Sequence, residues 1–163
     1  MKKALCVLLC GLLLAGCGAE KTLETVTDNM EAPVMAQRKE ISVTLPQNAA
    51  VETLDNGAEG KIYLCDGYTV TVQVLTGGDT EKTFRELTGF SKDQLTVVER
   101  EAGDYKRYDC VWSSVGEAED CVARGTVLDD GFYHYAVTVS APFSAAGDLA
   151  QTWQSILSSV SIG

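Results

Sequence analysis

The chain has 163 residues, with 13 basic and 23 acidic side chains, one histidine and a formal charge of −10. A surface this acidic repels phosphate backbones and anionic headgroups, so nucleic acid is excluded as an expected partner. The length suits one ordinary domain with its own core.

The first residues are read before any fold. Lys2 and Lys3 form a short positive region, and no charge follows from Ala4 to Ala15. As a helix those 12 residues reach roughly 18 Å, against a hydrocarbon core of about 30 Å, too short for a stable span. A charged start, a short apolar stretch and then small residues read as an export signal. Its end, Leu14-Ala15-Gly16-Cys17, resembles the lipobox of bacterial lipoproteins. The resemblance implies diacylglyceryl transfer to the Cys17 sulfur and removal of residues 1–16. Cys6 and Cys10 are then small hydrophobes in a discarded segment. Acyl chains at Cys17 hold the protein on a membrane, since each buried CH₂ contributes about 0.8 kcal/mol. The expected location is the cell membrane, lipid-anchored and facing outside the cytoplasm.

The chain from Cys17 onward carries 11 basic and 23 acidic side chains, a formal −12. Residues 17–39 have few large apolar side chains and no period, and read as a flexible acidic tether. Residues 40–163 read as one globular domain.

Within that domain, Ile41, Val43 and Leu45 alternate with Ser42 and Thr44, a half-buried strand stopped by Pro46. Val51 to Leu54 continues it before the Asp55-Asn56-Gly57 turn. In KIYLCDGYTVTVQVL, Asp66-Gly67 is a two-residue hairpin signal that pairs Cys65 with Tyr68 and Tyr63 with Val70. Tyr63, Cys65, Val70, Val72 and Val74 then share one apolar face. Asp79 or Thr80 caps a short helix carrying Phe84 and Leu87, and Gly89 stops it. Strands follow over Thr96–Glu101, Tyr105–Val115, Cys121–Asp129 and Phe132–Ala141. Last, Leu149, Trp153, Ile156, Leu157 and Val160 make one stripe of an amphipathic helix, with Asp148 as a candidate cap.

Strands, helix, strands, helix predict an α+β domain: a mostly antiparallel β-sheet with a short mid-chain helix and a C-terminal amphipathic helix packed on it. The opening ISVTLP, the hairpin before a short helix, and the closing FYHYAVTVSAPF…LAQTWQSILSSVSI resemble the PsbP-like α/β/α sandwich over about residues 40–162. That family has plant photosystem extrinsic proteins and many bacterial lipoproteins among its members. The resemblance implies no catalytic signature, and no functional residue is carried across.

Candidate chemistry is sparse. A symmetric turn near Ser113 to Ala118 sets Cys110 opposite Cys121, close enough for a disulfide in an oxidising compartment. Two reduced core thiols are the other reading. Cys65, on the apolar hairpin face, reads as a buried thiol. His134 is expected opposite Val127, roughly 20 Å along the strand from Cys121, which disfavours a dyad or zinc site using both. Glu117, Glu119 and Asp120, and the Asp129-Asp130 turn, match no EF-hand loop. Nucleophile-elbow, dinucleotide and P-loop glycine patterns are absent from the sequence. No metal and no cofactor is expected. Tyr108 with Trp112, and Tyr133 with Tyr135, pair on strand faces and are candidate interaction aromatics.

The reading is a non-enzymatic lipoprotein, bound to membrane lipid through Cys17, whose domain binds a protein, peptide or small ligand. The alternative is an envelope enzyme or a redox or metal protein using His134 or the cysteines Cys65, Cys110 and Cys121.

Overall fold

The computed structural model describes residues 36–53, 60–115 and 119–163. The expected signal, the expected lipobox with Cys17, the expected tether up to Met35, the predicted Asp55-Asn56-Gly57 turn and Glu117 lie outside the described residues. The strands are β1 (Ile41–Ser42), β2 (Ala50–Thr53), β3 (Gly60–Cys65), β4 (Tyr68–Thr76), β5 (Thr96–Ala102), β6 (Tyr105–Ser114), β7 (Cys121–Asp129), β8 (Tyr133–Pro142) and β9 (Ser161–Ile162). The helices are α1 (Thr80–Thr88), α2 (Phe143–Ala146) and α3 (Ala150–Ser158). Seven strands form one antiparallel sheet in the order β2-β3-β4-β8-β7-β6-β5, and β1 pairs with β9 apart from it. The result is the expected α+β sandwich, with helices on both faces of a mostly antiparallel sheet.

Local chemistry explains most boundaries. Gly67 takes the left-handed φ of 78° that the β3–β4 turn requires, and Cys65 pairs with Tyr68 as the turn signal predicts. The Asp79 side chain accepts from the Lys82 N–H at the start of α1, and Gly89 closes it in the left-handed region. Asp148 does not cap α3: Leu149 holds that position without a side-chain bond, because Phe143–Ala146 already turns the chain as α2.

Alternation divides the sheet into two faces. On one, Val70, Leu128, Tyr135, Val137 and Val139 pack against Trp153, Ile156 and Leu157 of α3. Ile41, Val43 and Leu45 join this core from an extended segment that crosses the sheet, of which only Ile41–Ser42 is paired strand. On the other face, α1 buries Phe84 against Tyr108, Cys110, Val127 and Ala136. The Phe84 and Tyr108 rings meet edge to face, 6.0 Å apart.

Two registers differ from expectation. Across β6 and β7, Cys110 lies opposite Gly125 and Cys121 opposite Ser114, so the two cysteines do not face each other. Both are free, as is Cys65, so of the two readings the Cys110–Cys121 disulfide is not formed and the thiols stay unpaired. The connection after Ser114 shifts the pairing by four residues, and nothing in GEAED dictates a symmetric turn. Across β7 and β8, His134 lies opposite Asp129 rather than Val127. Here Asp130 accepts from the Phe132 and Tyr133 N–H groups, which builds a turn longer than a two-residue Asp-Gly hairpin.

Candidate functional site: a cleft beneath the N-terminal crossing

The extended segment from Lys39 to Leu45 is held at several points. Its Lys39 N–H donates to the Tyr135 hydroxyl at 2.9 Å, and that hydroxyl donates to Asp130 at 3.1 Å. Glu40 and Gly163 exchange backbone hydrogen bonds of 3.0 and 3.1 Å. Thr44 N–H then donates to the Ser159 hydroxyl at 2.9 Å. The two ends of the domain are thereby closed on each other, and the crossing becomes a fixed wall.

Opposite that wall lies the β3–β4 flank of the same sheet face. A helix covers a sheet with a body about 10 Å thick, whereas a single extended chain spans only about 5 Å. The thinner cover leaves a cleft of about 550 Å³ between the crossing and the strands. Its strand side presents Tyr63, Val72 and Val74, all half-buried, and its rim carries Arg38, Lys39, Glu40 and Lys61. That volume lies inside the range of small-molecule sites, which are mostly apolar with a few polar groups.

The aromatic candidates divide between the two cores. Tyr135 is wholly buried under the crossing and Tyr108 is 3% exposed under α1, so neither offers the exposed surface expected of it. Trp112 and Tyr133 are half-buried and pack at the edges of these cores. Tyr133 and Tyr135 meet at 6.3 Å, and Lys92 sits 4.7 Å over the Tyr108 ring.

His134 is fully buried between sheet and helix. Its Nδ1 is 2.6 Å from the Thr83 hydroxyl of α1, and its Nε2 stands 3.5 Å from the Asp129 carboxylate without a hydrogen bond. The imidazole therefore ties α1 to the sheet and is closed to any substrate. Cys121 pairs with Pro142, eight residues along β8 from His134, about 26 Å at strand rise. No dyad joins them. Burial pushes the Cys110 thiol up to about 11, which leaves it a protonated core group.

The acidic turns are occupied by backbone and hydroxyl donors. Asp129 accepts from Gly131 N–H, and Glu119 accepts from the Ser144 hydroxyl. Partial burial raises the Asp130 pKa, but the Tyr133 and Phe132 N–H donors and the Tyr135 hydroxyl outweigh it and hold the carboxyl below its usual range. Among the described residues no group of three His, Cys, Asp or Glu side chains is placed to hold a metal ion.

A second polar cluster covers the β5–β7 end of the α3 face. Burial opposes ionisation of Asp109, yet Arg107, Thr126 and Arg100 bind its carboxylate and lower its pKa on balance. Arg107 also donates to the Leu157 carbonyl at 2.8 Å, closing the C-terminal end of α3. This network is fully used within the fold.

The cleft is the feature that residue-by-residue reading missed. Its parts come from positions 38–45 and 60–74, and the closure of Ile41 against Ile162 brings them together.

No protein-family profile matches the sequence, and no curated protein matches it. Solved structures do. Cyanobacterial PsbP (CyanoP) from Synechocystis superposes with a TM-score of 0.54 at 10% identity, over 76% of this chain and 86% of that one. LpqN, involved in cell envelope biogenesis of Mycobacterium tuberculosis, gives 0.50 at 11% identity, over 77% and 84%. A Bacteroides thetaiotaomicron protein gives 0.52 at 8% identity over 76% of this chain, which spans only 45% of that one. At such identities the likeness carries the fold alone. The architecture is that of the PsbP-like sandwich.

Proposed function

We propose that the protein is a lipid-anchored envelope protein whose single domain binds a small ligand without transforming it. The observation that carries this reading is the cleft itself: apolar on its strand side, charged at its rim, and walled by the segment that continues directly from the tether. A cleft of about 550 Å³ suits a small molecule or a short peptide end better than a folded partner. Cys17 supplies the anchor in this reading, and the 22 residues from Gly18 to Lys39 let the cleft work within about 75 Å of the bilayer. LpqN, a structural neighbour, is described as involved in cell envelope biogenesis, which agrees with an envelope setting at the level of analogy. The enzymatic alternative through His134 finds no support in a wholly buried imidazole.

Two measurements test the proposal. Membrane fractionation is expected to find the wild-type chain with the envelope and Cys17→Ser free of it. Equal partition of both would remove the anchor. Native mass spectrometry of protein released gently from envelopes is expected to show a retained small molecule; a mass equal to the bare acylated chain in every preparation would count against the binding role.

A further inference from the structure

We propose that the cleft takes a single-chain amphiphile with an anionic head, the alkyl chain lying on Tyr63, Val72 and Val74 and the head at the rim beside Lys39 and Lys61. This deepens the binding role proposed above and rests on it. Three observations support it. Val72 and Val74 point to the core side of the sheet, where their neighbour Val70 is wholly buried, yet both are only half-buried because the crossing covers them thinly. An apolar chain laid there removes that surface from water. Next, the rim carries Lys39 and Lys61, with Arg38 beside them, and the carboxylate of Glu40, while the Asp130 carboxylate behind the Tyr135 hydroxyl also feels Lys39, in a chain whose acids otherwise outnumber its bases 23 to 13. Lysine stems can run along an apolar surface while their ammonium groups meet a head in water. Finally, the cations come from two segments far apart in sequence, the crossing and β3, which the fold sets on one opening.

The same charge distribution separates a single amphiphile from a bilayer. The formal −10 of the whole chain repels an anionic membrane surface over a Debye length, whereas a molecule inside the cleft meets the local cations first. The occupant is therefore a monomer, carrying a carboxylate or a phosphate on one alkyl chain.

The test uses the chain from residue 17 with Cys17→Ser, which keeps the whole domain and removes a competing acyl group. Dodecyl phosphate, below its micelle concentration, is titrated while the amide resonances of Tyr63, Val72 and Val74 and the methyl resonances of the two valines are followed. Dodecyl maltoside serves as the uncharged control, and phosphatidylglycerol vesicles as the bilayer control. Saturable shifts at those residues are expected with dodecyl phosphate. The double variant Lys39→Gln, Lys61→Gln should weaken it roughly fivefold or more while leaving dodecyl maltoside unchanged. Equal affinity for both detergents would overturn the anionic head and leave the cleft as a binding site. Binding to vesicles with no shift at the three residues would overturn the monomer. Silence at the three residues with every probe would overturn this inference, while a different molecule retained in envelope preparations would still uphold the binding role.

Discussion

The two faces of the sheet are built from the same strands, yet they are covered in different ways. On the α3 face, Trp153, Ile156 and Leu157 close over Val70, Leu128, Tyr135, Val137 and Val139 in one large apolar core, with buried Thr126 and the half-buried Arg107–Asp109 pair at its β5–β7 end. On the α1 face a smaller cluster around Phe84 and Tyr108 lies beside buried polar groups, Thr83, Thr88 and His134. Both faces tie their helix to the sheet, α3 through Arg107 on the Leu157 carbonyl and α1 through Thr83 on His134, but the first buries the larger apolar cluster. The difference teaches where spare surface arises. The α3 face is large and its helix short, so an extended segment must finish the cover, and the cleft forms beneath it.

The comparison breaks most directly at the two large side chains. Trp153 is 1% exposed and Phe84 fully buried. Truncation of either to alanine removes a large ring from a packed core, a loss of about 3–5 kcal/mol. Trp153→Ala should sit at the upper end, since it opens the larger cluster, and Phe84→Ala at the lower. Urea unfolding of both variants checks the order. A Phe84→Ala loss equal to or above that of Trp153→Ala would show that the smaller face carries the domain.

Gly77 marks the exit from β4 toward α1. A Cβ there would meet the Phe132 carbonyl carbon at 2.6 Å and the Tyr133 nitrogen at 2.8 Å, both backbone atoms with little room to yield. Its N–H also donates to the Phe132 carbonyl at 2.9 Å. Gly77→Ala should therefore cost about 1–3 kcal/mol, as overpacking does in general. An unchanged urea midpoint would mean that the β7–β8 turn moves freely, and with it the platform that holds His134 against Thr83.

These cases show what was legible. Period-2 alternation assigns faces well: Tyr63, Cys65, Val70, Val72 and Val74 share a face as read, and Tyr108 shares one with Trp112. Register was legible only where a turn has one good geometry. Asp66-Gly67 is such a turn, and its pairing is as read. The Asp130 side chain instead bonds two successive N–H groups and moves His134 by two positions, which keeps the face and changes the neighbour. The β6–β7 pairing slips by four in the same way, and the disulfide reading of Cys110 and Cys121 goes with it. Neither slip disturbs the hydrophobic pattern, so composition holds no signal against it. The cleft was illegible for a different reason. It depends on closure between residues 41 and 162, a contact that no local pattern encodes.

Tyr135 tests how firmly the crossing is tied to the α3 face. Tyr135→Phe removes the hydroxyl between Lys39 and Asp130 and should cost about 1–2 kcal/mol near neutral pH. The effect should depend on pH in a defined sense. Asp130 has a lowered pKa when folded, so its contribution is complete above the ordinary aspartate range, about 4, and is lost as the pH falls through the folded value. Once that carboxylate is protonated, the charge-assisted part of the Tyr135 bond is gone in the wild type too. The gap between wild type and Tyr135→Phe should therefore narrow below about pH 4. A gap that stays constant through that acid range would place the hydroxyl's contribution on the non-titrating Lys39 N–H side alone.

The smallest effect concerns reactivity rather than stability. Cys110 lies on the α1 face, 7% exposed, with its thiol pushed up to about 11 by burial. Cys65 and Cys121 are half-buried and free. An alkylating reagent attacks the thiolate, so rate follows both exposure and ionisation. In the Cys17→Ser chain from residue 17, two thiols should be labelled readily under native conditions, and the third, Cys110, only after urea. Peptide mapping identifies which is slow. Prompt labelling of Cys110 would mean that α1 lifts from the sheet under native conditions, so that the Thr83–His134 bond does not hold the smaller face shut. Protection that persists would mean that α1 stays closed over the smaller face, with the Thr83–His134 contact holding it to the sheet.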